Sequence, residues 1–253
     1  MTIFDRAVSD YEAVRPTYPA PLVDEVLALA ELAPGARVLE VGAGTGQATR
    51  LFAARGLAVT AVEAGAAMAA ATRAAVPAAT VVNARFEDLT LPRVFSLVYS
   101  ATAWHWMNPA VAYARAHDAL VPGGALALFW NLHVRGDDDV GFFDATQDLY
   151  EAAGMARLRL QPERPDGEER TAAIVASGYF GDVVRRGYPW HADYDAHTYA
   201  RLLGTYSDHL ALGDDVRARL LGGIAALIDT RFGGTIRKHY LADLYVARAI
   251  TRA

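Results

Sequence analysis

The chain reads as a doubly wound α/β protein, with a parallel sheet covered by helices on both faces. Three observations predict this class. Short, nearly continuous apolar segments alternate with helical ones between residues 37 and 131, the pattern of strands buried on both sides. A turn with glycine at alternate positions, Gly42-Ala43-Gly44-Thr45-Gly46, joins the first strand to the first crossover helix. An acidic residue, Glu63, closes the second strand 21 positions after Gly42 (63 − 42).

The elements follow in order. PAPLVDEVLALAEL (19–32) sets Leu22, Val26 and Leu29 on one helical face before Pro34-Gly35 breaks it. RVLEV (37–41) is the first strand, and GQATRLFAAR (46–55) is a helix ended by Gly56, which suits the left-handed position after a helix. LAVTAVE (57–63) is the second strand, and GAAMAAATRAA (65–75) is a helix stopped before Pro77. ATVVNA (79–84) and FSLVYS (95–100) are the third and fourth strands. NPAVAYARAHDAL (108–120) is a helix capped by Asn108, with Pro109 at its first position, where the missing N–H costs nothing. VPGG (121–124) then turns the chain into a fifth strand, ALALFWN (125–131).

The second half is less regular. Helices are predicted over 137–154 and 167–178, around an exposed polar segment at 157–170. A strand is predicted over 182–190, single helices over 195–210 and 214–233, and a final strand over 235–250.

Composition narrows the function. With 53% apolar and 21% charged residues, the 253-residue chain has the makeup of an ordinary globular domain with a large core. Its net charge of −5 argues against a nucleic-acid or anionic-membrane surface. It has no cysteine, which excludes disulfides, thiolate metal sites and cysteine nucleophiles; no metal site is expected. MTIFDRAVSDYEAVRP has acids and no apolar core, so it does not read as a signal peptide. No apolar run has the length of a membrane span. A cytoplasmic protein is the expectation.

Ligands of parallel sheets sit at the carboxyl ends of the strands. After the first strand the glycines follow G-x-G-x-G; Gln47 stands where a dinucleotide fingerprint has its third glycine, and no P-loop Gly-Lys-Ser/Thr follows. Glu40, inside the first strand, is a carboxylate in a buried setting and needs a partner, such as a ligand ammonium. Glu63 is placed to accept from ribose hydroxyls, a role that NAD or another adenosine ligand would satisfy equally. Phe86 offers a face for an aromatic base, and Glu87 or Asp88 an acceptor for an exocyclic amine. Trp104-His105-Trp106 sets an imidazole between two indoles near the fifth strand.

Together these segments resemble the class I S-adenosylmethionine-dependent methyltransferases over residues 11–131. VLEVGAGTG, AVEAGAAM, NARFEDLTLP, FSLVYSATAWHW and LVPGGALAL match the successive family motifs. FED, AWHW and YEAVRPTYP are most similar to the small-molecule, trans-aconitate methyltransferase-like subgroup. The resemblance implies a Rossmann-like, mostly parallel seven-stranded sheet with its last strand antiparallel. It also implies an N-terminal helical lid (1–36), a cofactor-binding core (37–135) and a remainder (136–253) carrying a helical substrate cap at about 190–232, all in one domain. Gly42, Gly44 and Gly46 would wrap the methionine moiety, with Glu40 nearby, and Glu63 would hold the ribose. Ala64, Met68 and Phe86 would enclose the adenine, with Glu87 or backbone meeting its amine. Ser100 would offer backbone contacts, and Arg15 with Tyr11 would reach the cofactor carboxylate. Two positions depart from relatives: Arg85 and Ser96 stand where many carry Asp.

The reaction implied is in-line methyl transfer to a small molecule, at oxygen ahead of nitrogen or carbon, in a dry cavity. His105 is the candidate general base, with a hydrogen-bond anchor as its equal alternative. Trp104, Trp106, Tyr206 and His209 are the candidate substrate contacts, and Trp190 and Ser207 fall in the same segment. The rival readings are an NAD-dependent oxidoreductase, disfavoured by Gln47 and by the lack of a Tyr-x-x-x-Lys pair, and a non-catalytic S-adenosylmethionine-binding protein.

Overall fold

A computed structural model describes residues 13–136, 141–156 and 167–251. Tyr11 and most of the polar segment at 157–170 lie outside the described residues.

A single seven-stranded sheet organises the chain, in the order β3-β2-β1-β4-β5-β7-β6. The strands are β1 (Arg37–Val41), β2 (Ala58–Glu63), β3 (Thr80–Asn83), β4 (Phe95–Ala101), β5 (Leu120–His133), β6 (Phe180–Asp195) and β7 (Thr235–Ala249). Strands β1 to β5 pair in parallel, and β7 runs antiparallel to both β5 and β6. The expected mostly parallel sheet with an antiparallel last strand is therefore present. The VPGG segment does not interrupt β5. It is absorbed as an irregularity, since Phe95 pairs with Leu120 but Leu97 with Ala125.

Alternate residues of the strands feed two cores, one on each face. Val38, Leu97 and Tyr99 pack under α1 (Ala20–Leu29) and α2 (Gln47–Ala53), against Leu22, Val26 and Phe52. Leu39, Val98 and Leu126 face the other way, toward Tyr113 of α4 (Pro109–Ala119) and Ile174 of α7 (Glu168–Ala176). Helix α3 (Ala66–Ala75) follows β2, and its Met68 is buried. Helix α4 begins as its sequence predicts, with Asn108 Oδ1 accepting from the Ala110 N–H. Helix α1 packs on the sheet, with Leu22, Val23 and Val26 fully buried.

A third core lies beyond the carboxyl edge of the parallel strands. There the ends of β6 and β7 extend past the sheet, and α5 (Phe142–Ala145), α6 (Gln147–Ala152), α8 (Ala196–Leu203), α9 (Ser207–Leu210) and α10 (Asp214–Arg231) gather on them. Three sequence expectations change here. The region 137–154 holds two short helices, α5 and α6, among its described residues. The helix predicted over 195–210 breaks at Gly204–Tyr206 into α8 and α9. In the segment expected as a cap, helix starts only at Ala196, because Trp190–Asp195 continue β6 in register with Tyr240–Thr235. Asp195 marks the switch, accepting from the Thr198 N–H at 2.7 Å as the N-cap of α8.

Candidate active site

The turn after β1 takes its shape from its glycines. Gly42, Gly44 and Gly46 have φ of 75°, 59° and 88°, a left-handed region that side chains disfavour. A Cβ at Gly42 would also fall 2.5 Å from the Cβ of Ala103. The turn is tied to β2 throughout. The Gly42 and Ala43 N–H groups donate to the Val62 carbonyl, and the Gly44 N–H donates to Glu63 Oε2 at 2.8 Å. Glu63 Oε1 accepts from the Gly65 N–H at 2.7 Å. Each carboxylate oxygen is thus oriented by a backbone donor.

Glu40 is 1% exposed, and its Oε2 accepts from Thr49 Oγ1 at 2.5 Å and from Tyr99 OH at 3.0 Å. Burial pushes its carboxyl up to about 7, against which these two hydroxyls pull downward. The partner that the sequence demanded for this acid is therefore supplied in part by the protein itself.

Glu40 and Glu63 line a cavity of about 930 Å³, within the size range of small-molecule sites. Its β1–β3 end carries Gly42, Gly44, Ala64, Met68, Phe86 and Glu87. Glu87 is held by the Asn108 N–H, which donates to its Oε1 at 3.1 Å. The other end carries Arg15, His105, Trp106, Asn131, His133, Tyr206 and Tyr240. Of the residues named from sequence, the cavity brings together Arg15, Glu40, Gly42, Gly44, Glu63, Ala64, Met68, Phe86, Glu87, His105, Trp106 and Tyr206.

Four others stand elsewhere. Gly46 caps α2, where a Cβ would face Thr72 and Val76 of the α3 region rather than the cavity. Ser100 is buried inside the sheet, its hydroxyl donating to the Val41 carbonyl at 2.8 Å. Trp104 packs in the core between Phe86 and Tyr113. His209, 1% exposed, bonds Tyr150 OH through Nε2 and Asp208 through Nδ1, so its polar atoms serve the cap. Arg15 lines the cavity, yet its guanidinium bonds Thr205 through Oγ1 and the carbonyl, each at 2.8 Å, and lies 4.5 Å over the Tyr206 ring.

The residues that sequence reasoning missed come from the ends of β4, β5 and β7. Thr102, left-handed at φ 54°, shares a 2.7 Å bond with Tyr18 OH. Asn131 is fixed on both sides, donating to the Thr17 carbonyl and accepting from Trp190 Nε1. His133 bonds Tyr206 OH at 3.3 Å, and burial, Lys238 and Arg15 hold its ring well below the usual histidine range. Lys238 is buried under the rings of Phe143, Tyr199 and Tyr240, and burial lowers it to about 7. The rule that gathers residues after each strand would have found Asn131 and His133, had it been carried on past β4.

At the cavity rim, His105 Nδ1 accepts from the indole N–H of Trp130 at 3.3 Å. Burial, and then the Arg170 charge, lower its pKa. Among the described residues no group of three His, Asp or Glu side chains is arranged to hold a metal ion, and no helix is long and apolar enough to cross a membrane.

Comparison with known proteins agrees with this geometry. A family model described as a methyltransferase domain matches residues 39–128. An uncharacterised methyltransferase of Mycobacterium tuberculosis is 40% identical over 228 residues, 90% of this chain and 86% of the relative. An uncharacterised methyltransferase-like protein of Schizosaccharomyces pombe is 31% identical over 152 residues, 58% of this chain and 57% of the relative. Among solved structures, a protein from Anaeromyxobacter dehalogenans described as a type II methyltransferase superposes with a TM-score of 0.65 at 24% identity, covering 92% of this chain and 97% of that one. A Haemonchus contortus phosphoethanolamine N-methyltransferase, solved with phosphomonomethylethanolamine and S-adenosylhomocysteine, superposes with a TM-score of 0.57 at 16% identity. It covers 98% of this chain, which spans 58% of that longer protein.

Proposed function

The chain belongs to the S-adenosylmethionine-dependent methyltransferases, and from that premise we propose that its cavity transfers the methyl group to a small-molecule acceptor. The observation that carries this reading is the continuity of the cavity. One space of about 930 Å³ joins the Gly42–Glu63 end to the His105–His133–Tyr206 end, so donor and acceptor sites share a single enclosure.

The residues at the first end suit the cofactor. Glu63 presents two oriented oxygens to a ribose diol, while Ala64, Met68 and Phe86 give apolar walls for an adenine. Glu40 lies where a cationic amino group would offset its burial. When bound, the cofactor would supply a methyl group already activated on a sulfonium, open to in-line attack at the methyl carbon as S-adenosylhomocysteine leaves. What remains for the chain is to hold the acceptor at near-attack distance and keep water out. Trp106 and Tyr240 give that end apolar walls, and Arg15, His105 and His133 give it polar contacts. Oxygen is the accepting atom this set favours. Arg15, Pro16 and Tyr18 line the cavity, and closure over the acceptor from their side is part of the proposal.

Calorimetric titration with S-adenosylhomocysteine, with NAD as the competing ligand, tests the cofactor half. Incubation with labelled S-adenosylmethionine and a panel of hydroxylated, carboxylated and amino small molecules tests the rest. Label transfer to a small molecule is the expected result. Binding of S-adenosylhomocysteine with no transfer to any member of the panel would overturn the acceptor reading alone.

A further inference from the structure

Among the described residues His105 has one hydrogen-bond partner, and that partner fixes what the ring is able to do. An indole N–H only donates. With Trp130 Nε1–H on Nδ1 at 3.3 Å, a neutral imidazole carries its own hydrogen on Nε2. Nε2 has no partner among the described residues, and the ring lines the cavity. His105 therefore faces the cavity with a donor, the opposite of what a general base needs.

The Trp130 ring is itself held rigidly. It stands on β5 at the position paired with Asp243 of β7, and is 7% exposed. The Arg170 guanidinium lies 4.7 Å over its face, and the Tyr245 ring meets it edge-on at 5.9 Å. Both clamps converge on the fully buried Asp243, which accepts from Tyr245 OH at 2.5 Å and lies 3.9 Å from Arg170 Nη1. Arg185 completes that carboxylate with bonds of 2.7 and 3.1 Å. A chain of contacts thus runs from Asp243 through Arg170 and Tyr245 to Trp130, and ends on one nitrogen of His105.

We propose that Trp130 is a positioning residue that holds His105 as its Nε2–H tautomer, so that His105 hands the methyl acceptor a hydrogen bond and takes no proton from it. The acceptor recognised at this point bears an unprotonated oxygen, the atom able to receive that bond. The proposal rests on the cavity being the methyl-transfer site, but the tautomer does not, and the test reads the tautomer alone.

The test is long-range 1H–15N correlation spectroscopy on the full chain with 15N-labelled histidine, without cofactor or acceptor. Wild type is expected to show an unprotonated, hydrogen-bonded Nδ1 and a protonated Nε2 at His105. In Trp130→Phe the Nδ1 resonance should move, and the His105 pKa should rise, because the bond lost favours the neutral ring. A purely structural tryptophan would change neither. If Trp130→Phe does not fold, His105→Ala at the exposed rim gives the reciprocal readout, an upfield shift of the Trp130 indole proton. A protonated Nδ1 in wild type, or resonances indifferent to the partner's removal, overturns the proposal.

Discussion

The two ends of the cavity are built on different principles. The β1–β3 end is local: Glu40, Gly42, Gly44, Glu63 and Met68 fall within 29 residues (68 − 40 + 1), on two strand–turn–helix units. Its polar groups are carboxylates and tied backbone amides. The far end collects Arg15, His105, His133, Tyr206 and Tyr240 from the whole length of the chain, so basic and phenolic groups stand there beside Asn131 and Asp208. The first arrangement suits a fixed ligand bearing a ribose diol and a positive charge. The second depends on where the β6–β7 extension and the cap helices place side chains, so it is free to differ with the acceptor while the first end stays constant.

The sharpest way to break this comparison is at Glu63. Glu63→Ala removes both oriented oxygens and frees the Gly44 and Gly65 N–H groups. Hydrogen bonds to charged groups contribute about 1.5–3 kcal/mol each, so affinity for S-adenosylhomocysteine should fall on the order of 100-fold in calorimetry. The same substitution should leave the His105 and His133 resonances in place.

A pH experiment at Glu40 comes next. Its folded carboxyl titrates near 7, against an ordinary 4.5. The folded state therefore binds more protons than the unfolded one between those values, and stability falls as pH rises through that window. At about 1.4 kcal/mol per unit, the loss is on the order of 3 kcal/mol by pH 8. Glu40→Gln keeps an acceptor for Thr49 and Tyr99 and removes the ionisation. Denaturant unfolding from pH 4.5 to 8 should be flatter in that variant than in wild type. A cation bound beside Glu40 favours the ionised carboxylate, so cofactor binding near pH 7 should release protons in wild type and fewer in Glu40→Gln. Titration in buffers of different ionisation enthalpy measures this.

Smaller effects sharpen the boundary of the site. His209→Ala strips Tyr150 and Asp208 of a partner inside the cap and should cost about 1–3 kcal/mol of stability, read as a shift in denaturation midpoint, while S-adenosylhomocysteine affinity changes less than about 2-fold. Ser100→Ala leaves the Val41 carbonyl without its side-chain donor. It should cost about 1 kcal/mol with the same indifference to the cofactor.

These contrasts also explain what was legible in the sequence. Parallel strands announce themselves as apolar runs, and the turn after β1 needs glycine at Gly42, Gly44 and Gly46 because all three have positive φ. Glu63 ends its strand and Phe86 comes just beyond its own, so their place at the sheet edge was readable. His209 and Trp104 were not, because chemistry-bearing side chains face either a core or a cavity, and only tertiary packing decides which. The break of the cap helix at Gly204–Tyr206 was equally hidden: it turns Tyr206 toward His133 and leaves His209 against Tyr150. The bonds of Arg15 to Thr205, 190 residues away, were likewise not readable from the sequence.

The most direct test of the central claim is a calorimetric titration of wild type, Glu63→Ala and His209→Ala with S-adenosylhomocysteine under one set of conditions. The account predicts binding by wild type and His209→Ala with nearly equal affinity, and binding weakened on the order of 100-fold by Glu63→Ala. Equal affinity in all three proteins, or no binding by the folded wild type, would contradict the assignment of the β1–β3 end to the cofactor.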